Sequence, residues 1–223
     1  MSRLLPFMLL GLLWLLKVLR FRVTTLSRAT AAPYGRFVCL TIDGIDRGLP
    51  RLVRALERLR LPATIFVPTH RVGRPGALSW NDLRRLNLAG WEVGSMGHEP
   101  VDLSARSYVE QRRLIARAKS LIATRLGAAP SSFAFPYGAY DATTLSCLRE
   151  EGFTSGVTLR RGLNDGTADG LQLRRLSIAP TNLRDLAGVM TLGFAALSRS
   201  PAVAEPVIRP GAEHTEARSG VHS

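Results

Sequence analysis

The sequence predicts an α/β fold, a closed or nearly closed (β/α) barrel behind an N-terminal hydrophobic segment. Three observations carry this reading. Strand-like and helix-like runs alternate from Arg36 onward, and such alternation builds a parallel sheet covered by helices. The first strand ends in TIDGIDRG, which is not the glycine-rich phosphate loop of open doubly wound sheets. Strands ending at Asp43, Ser95 and Pro136 run into polar or sharply turned loops, as at the C-terminal mouth of a barrel.

The elements follow in order. RFVCLTID (Arg36 to Asp43) is a buried strand, and LPRLVRALERLR after it has apolar residues at Leu49, Leu52, Val53, Leu56 and Leu59 in helical rhythm. ATIFVP (Ala63 to Pro68) is the second strand. Ser79 and Asp82 form a capping-box start for WNDLRRLNLA, which Gly90 stops. WEVGS is the third strand. Ser107 and Glu110 cap a long helix through Leu126, closed by Gly127. SSFAFP is the fourth strand, and Asp141 caps ATTLSCLREE, stopped by Gly152. FTSGVTL is the fifth strand and LQLRRLSI the sixth. Thr181 opens a final helix through about Leu197, and the tail from Arg199 lacks periodicity and reads as disordered.

Composition narrows the function. The 223 residues are 46% apolar with a net charge of +13, enough for one sizeable core. Of the 30 basic residues 28 are arginine, scattered through the helices near carboxylates and without an aromatic platform, so nucleic acid is not an expected partner. Cys39 and Cys147 have no zinc spacing, and read as buried thiols or a disulfide. Leu4 to Leu16 are 13 uncharged residues, and VL continues them beyond Lys17. A full span takes about 20 residues, which Lys17 and Arg20 can supply by snorkelling. The A-x-A-like site at Ala29 to Ala31 follows a stretch too long and basic for a cleavage region. The expectation is an uncleaved anchor through residues 4–20 in a bacterial-type inner membrane. Lys17, Arg20, Arg22 and Arg28 bias the following domain toward the cytoplasm. The chain thus divides into anchor and basic linker (1–30), barrel (31–198) and tail (199–223).

TIDG (Thr41 to Gly44), LPATIFVPT (Leu61 to Thr69), GWEVGS (Gly90 to Ser95) and FAFPYGAYD (Phe133 to Asp141) occur in that order. From about Phe37 to about Leu186 the chain resembles the polysaccharide deacetylase family, the nodulation-type N-deacetylases. The resemblance implies a distorted (β/α) barrel of the deacetylase type and an acetylated glycan partner. It also implies metal-dependent hydrolysis of N- or O-acetyl groups, in which zinc or a similar ion polarises the carbonyl and activates water.

The departures from that pattern matter as much. Asp43 stands at the base position of the family's T-F-D-D-G, but Gly44 replaces the aspartate ligand. Met96 and Pro100 stand where H-[ST]-x-x-H places its two histidines, and RLSIAPTNL has no late histidine. Proline offers no side-chain donor and a thioether suits a hard hydrolytic site poorly. No cofactor is therefore expected, unless a displaced site exists: Asp46, His98 and Asp102, with Glu99 spare, could hold zinc or another divalent metal if the loop shifted by two residues. The resemblance gives Tyr137 and Gly138 a groove-wall and oxyanion role; the residues alone equally describe a turn with an aromatic plug. Ser95, Met96 and Arg175 are substrate-binding candidates, although Arg174 and Arg175 also read as a solvated strand edge. His70 reads as a loop residue, and Trp80 and Trp91 as packing. Two functions stay open, a deacetylase with weakened or lost activity and an inactive glycan-binding or assembly module at the membrane.

Overall fold

The computed structural model describes residues 21–32, 35–45, 49–178 and 192–199. The apolar segment 4–20, Asp46 and the tail beyond Arg199 lie outside them. Eight strands form one sheet in sequential order: β1 (Arg22–Thr24), β2 (Gly35–Asp43), β3 (Thr64–Val67), β4 (Glu92–Ser95), β5 (Ser132–Ala134), β6 (Ser155–Arg161), β7 (Leu173–Ile178) and β8 (Leu192–Arg199). β1 to β7 are mutually parallel. β8 runs antiparallel to both β7 and β2 and closes the barrel. Five helices are described: α1 (Leu26–Ala31), α2 (Leu49–Arg58), α3 (Trp80–Leu88), α4 (Tyr108–Leu126) and α5 (Ala142–Glu150). Among the described residues no helix is long and apolar enough to cross a membrane.

The local chemistry explains the element ends. Ser79 and Ser107 close capping boxes with Asp82 and Glu110, and Asp141 does so with Thr144. Each box satisfies backbone N–H groups that the first helical turn leaves without partners. Gly90, Gly127 and Gly152 adopt positive φ after α3, α4 and α5, the left-handed exit that glycine reaches without strain.

Alternation along the strands separates two environments. Val38, Leu40, Ile42, Ile65, Val67 and Val93 face the helices and share a cluster with Leu49, Val53, Leu83, Leu86 and Trp91. Phe37, Cys39, Phe66, Ala134, Val157 and Leu173 face the bore. Phe66 fills it because Gly94 has no side chain; a Cβ there would lie 2.6 Å from the ring. Cys39 and Cys147 are free and buried, and burial pushes the Cys39 thiol up to about 12.

Two segments differ from the sequence reading. Residues 22–30, read as linker, form β1 and, together with Ala31, α1, which plugs the base of the barrel with Leu26 and Ala29. The plug is held by polar groups at the strand starts. Leu26 N–H donates to Thr64 Oγ1 and Ser27 N–H to Glu92 Oε2, both at 2.9 Å. Thr64 and Ser132 hydroxyls donate to the same Glu92 carboxylate. The second difference is the last element: residues 192–199 are strand, not the end of a helix. Their backbone pairs with Gly35 to Ile42 on one side and Leu176 to Ile178 on the other, and this ladder overrides the weak helical signal of LGFAALS.

Candidate functional site at the barrel mouth

Thr41 and Asp43 continue the inward series of β2 to the C-terminal end of the barrel. Arg175 reaches them from β7. Its Nη1 and Nη2 donate to Asp43 Oδ1 and Oδ2 at 2.7 and 2.8 Å, Nη1 also to Thr41 Oγ1 at 3.2 Å, and Nε to the Thr158 carbonyl at 2.9 Å. Arg175 is 1% exposed and Asp43 8%. Arg175 is therefore no solvated strand edge. The planar guanidinium meets the carboxylate in a two-pronged contact, which fixes the orientation of Asp43 at the mouth.

The residue after Asp43 is Gly44, at φ +87° with nothing within 4 Å of a notional Cβ. Its N–H continues the ladder to the Phe66 carbonyl at 2.9 Å. Met96 is half-buried against the apolar bore cluster. Ser95 points away from the mouth: it is fully buried, and its Oγ accepts the Gly97 N–H at 3.1 Å. Strand alternation accounts for this, since Ser95 shares the phase of the helix-facing Val93.

On the β5 side, Pro136 to Gly138 form a 3₁₀ turn in which Tyr137 has φ +57° and is 71% exposed. A left-handed tyrosine is an uncommon, strained placement. Gly138 follows at φ +70°, where a Cβ would lie 2.8 Å from Leu159. The turn thus holds an aromatic ring out at the rim rather than plugging the barrel with it.

His98 is buried, and its Nδ1 lies 2.8 Å from Thr69 Oγ1. His70 Nδ1 donates to the His98 carbonyl at 2.9 Å, and the His98 N–H to the Leu114 carbonyl at 3.1 Å. The histidine braces the loops after β3 and β4 against α4. Asp102 is exposed and accepts from Ser104 Oγ at 2.6 Å. Among the described residues no three His, Cys, Asp or Glu side chains converge as metal ligands do. The donors present do not fit a catalytic divalent ion: one position lacks a side chain, one carries a thioether in the bore, and His98 and Asp102 are engaged separately. The third residue of the displaced set, Asp46, lies outside the described residues.

Burial lowers His98 below the usual histidine value of 6.5, with Arg117 adding to the effect. A histidine kept neutral by folding contributes stability above about pH 6.5, and that contribution is lost as pH falls toward its depressed folded value. The thermal midpoint of the wild type is expected to fall with acidification in this window. His98→Asn, which retains a hydrogen-bonding side chain for Thr69, is expected to flatten that slope. Thermal melts of both proteins between pH 7 and 5 check this.

Two clefts open at the opposite end of the barrel. One of about 240 Å³ is lined by Thr25, Arg28, Asn87 and Glu92 among others. The other, about 310 Å³, is lined by Arg28, Glu57, Arg60, Leu61, Pro62 and Trp91 among others. Neither contains Asp43, Arg175 or Tyr137.

The chain matches the polysaccharide deacetylase family over residues 31–156, more than half of its length. It is 27% identical over 118 residues to a peptidoglycan deacetylase of Helicobacter pylori (strain ATCC 700392 / 26695); the match covers 50% of this chain and 39% of that protein. The chain thus spans about two fifths of the length of this curated relative. Among solved structures it resembles the Streptococcus pyogenes deacetylase PplD in complex with acetate (TM-score 0.68, 22% identity, 74% of this chain and 77% of that chain). It also resembles the BpsB deacetylase domain of Bordetella bronchiseptica (0.63, 20%, 74% and 82%). A third is IcaB of Ammonifex degensii (0.59, 25%, 74% and 80%). Likeness at the identities of the first two supports the distorted barrel alone.

Proposed function

Because the chain belongs to the polysaccharide deacetylase family, we propose that it serves an acetylated cell-envelope or exopolysaccharide glycan as a membrane-attached member whose metal-dependent hydrolysis is weakened or lost. The observation that carries this reading is the mouth itself. Asp43 is kept and oriented by Arg175, while the neighbouring ligand position is a glycine at φ +87°. A carboxylate alone can take a proton from water. It lacks the Lewis acid that would polarise the acetyl carbonyl and stabilise the charge developing on its oxygen. N- and O-acetyl groups on the glycan are both in scope, and the name of the Helicobacter pylori relative points to peptidoglycan as the first glycan to try. Residues 4–20 would hold the domain at the bilayer.

A second reading, a glycan-binding or assembly module without turnover, is favoured by Tyr137. An aromatic ring held 71% exposed in a strained turn suits stacking against a sugar face. The test is to incubate the full chain with acetylated glycan fragments and measure bound ligand and released acetate together. Binding is expected, weakened roughly two- to tenfold by Tyr137→Ala, with acetate at the level of the blank. Acetate release at the rate of a zinc deacetylase would sink the reading of weakened hydrolysis. Unaltered binding by Tyr137→Ala would remove the aromatic ring from it.

A further inference from the structure

Helices α2, α3 and α5 leave the barrel wall through the same turn. In each, one N–H bonds three residues back and the next bonds five residues back: Arg60 to Glu57 and Leu61 to Leu56, Gly90 to Asn87 and Trp91 to Leu86, Gly152 to Arg149 and Phe153 to Leu148. The pivot needs positive φ. Glycine supplies it at 90 and 152, and again at 127 after α4, but at 60 the pivot is an arginine at φ +52°. An L-residue pays for that conformation where glycine does not, so the arginine at 60 stands against backbone preference.

The Arg60 side chain lines the 310 Å³ cleft at the base of the barrel, and Arg28 from α1 lines it too. Arg22 and Arg58 stand at the same end. All four are exposed, and none of them forms an ion pair among the described residues. The carboxylate at this cleft, Glu57, is held by Arg85. The chain joins the barrel at this end as well. Arg22 is in register with Phe37 in parallel strands, which sets Phe21 beside Arg36 near the start of β2. Only residues 17–20 separate Phe21 from the uncharged run Leu4 to Leu16.

We propose that the base of the barrel, centred on the Arg28–Arg60 cleft, docks on the anionic phospholipid surface into which residues 4–20 insert, with the mouth facing away. The proposal rests on the anchor reading of residues 4–20. Guanidinium groups at a negatively charged bilayer gain electrostatic attraction that salt screens. The nine residues of β2 run from base to mouth and set Asp43 roughly 25 Å from the docking face. The glycan reached by the mouth is therefore a stretch of chain held off the bilayer, rather than the sugar next to a lipid.

The test uses the full chain reconstituted in vesicles of phosphatidylcholine with or without phosphatidylglycerol, containing a headgroup-attached quencher. A fluorophore is placed at Ala89→Cys beside the cleft or at Leu163→Cys in the loop after β6; the native thiols are buried. Quenching is expected at position 89 in anionic vesicles, reversed by high salt without loss of flotation, and little at position 163. Arg28→Glu with Arg60→Glu should lower the docked-to-undocked ratio roughly tenfold or more. Arg60→Gly should raise the thermal midpoint by about 2–4 °C while reducing quenching at 89, a combination that a purely structural arginine would not give. Floating protein with equal quenching at both positions, or with quenching indifferent to both variants, overturns the docking face and leaves the anchor standing. Protein that does not float overturns both.

Discussion

Replacing Arg175 with methionine is expected to lower the stability of the protein by about 3–5 kcal/mol, the usual cost of removing one member of a buried ion pair. The size of the effect follows from burial. The Arg175 side chain is 1% exposed and the Asp43 side chain 10%, so water cannot easily take over the role of the lost guanidinium. Methionine has the length to fill the bore but offers Asp43 no donor, and it leaves the Thr158 carbonyl without the Nε–H bond. For a chain of this size the thermal midpoint should drop by roughly 10 °C. Paired replacement, Asp43→Leu with Arg175→Met, removes the stranded charge and should recover a substantial part of the loss. Denaturant melts of the two single variants and the double variant measure the coupling. A loss under about 1 kcal/mol for Arg175→Met, the range of an exposed pair, would mean that the Asp43–Arg175 contact is not the fixed feature of the mouth described above.

The sequence discloses most of this fold because its elements carry strong local signals. Six strands and four helices are legible from alternation, 3–4 spacing and three capped starts, and the same elements are present in the structure. The two segments that were not legible are those held mainly by distant partners. β1 is three residues long and α1 six, too short for either period to register, and they are fixed by Thr64 and Glu92 far along the chain. β8 owes its state to the ladders on both sides.

At the site, the motif resemblance brings Asp43, Met96 and Tyr137 to neighbouring strand ends, while the function of Arg175 was hidden. Its signal was present in LQLRRLSI. Leu173, two residues earlier on the same strand, is 1% exposed and packs in the bore, so alternation puts Arg175 there too. An arginine in a strand defaults to solvent in any sequence reading, and the partner that reverses the default lies 132 residues away. His98 shows the converse. Its spacing to Asp102 suggested ligands, yet spacing carries no direction: one side chain turns inward to Thr69 and the other outward to Ser104.

Metal content has the largest expected contrast, because the outcomes are none or one equivalent per chain. A catalytic zinc site takes about three protein donors and an open position. At the mouth Gly44 supplies no side chain, Met96 packs in the bore and Pro100 has no donor. His98 and Asp102 are bound to Thr69 and Ser104 and would have to reorganise to share an ion. Restoring the family pattern with Gly44→Asp, Met96→His and Pro100→His should create affinity. It does so against strain at position 44, where φ +87° disfavours any residue with a Cβ. The direct measurement is elemental analysis of the full chain after incubation with zinc, cobalt or nickel and removal of free ion, beside the triple variant and His98→Ala. No stoichiometric metal in the wild type and retained metal in the triple variant is the expected result. One equivalent in the wild type that disappears in His98→Ala would contradict it, and would make His98 a ligand of a displaced catalytic site.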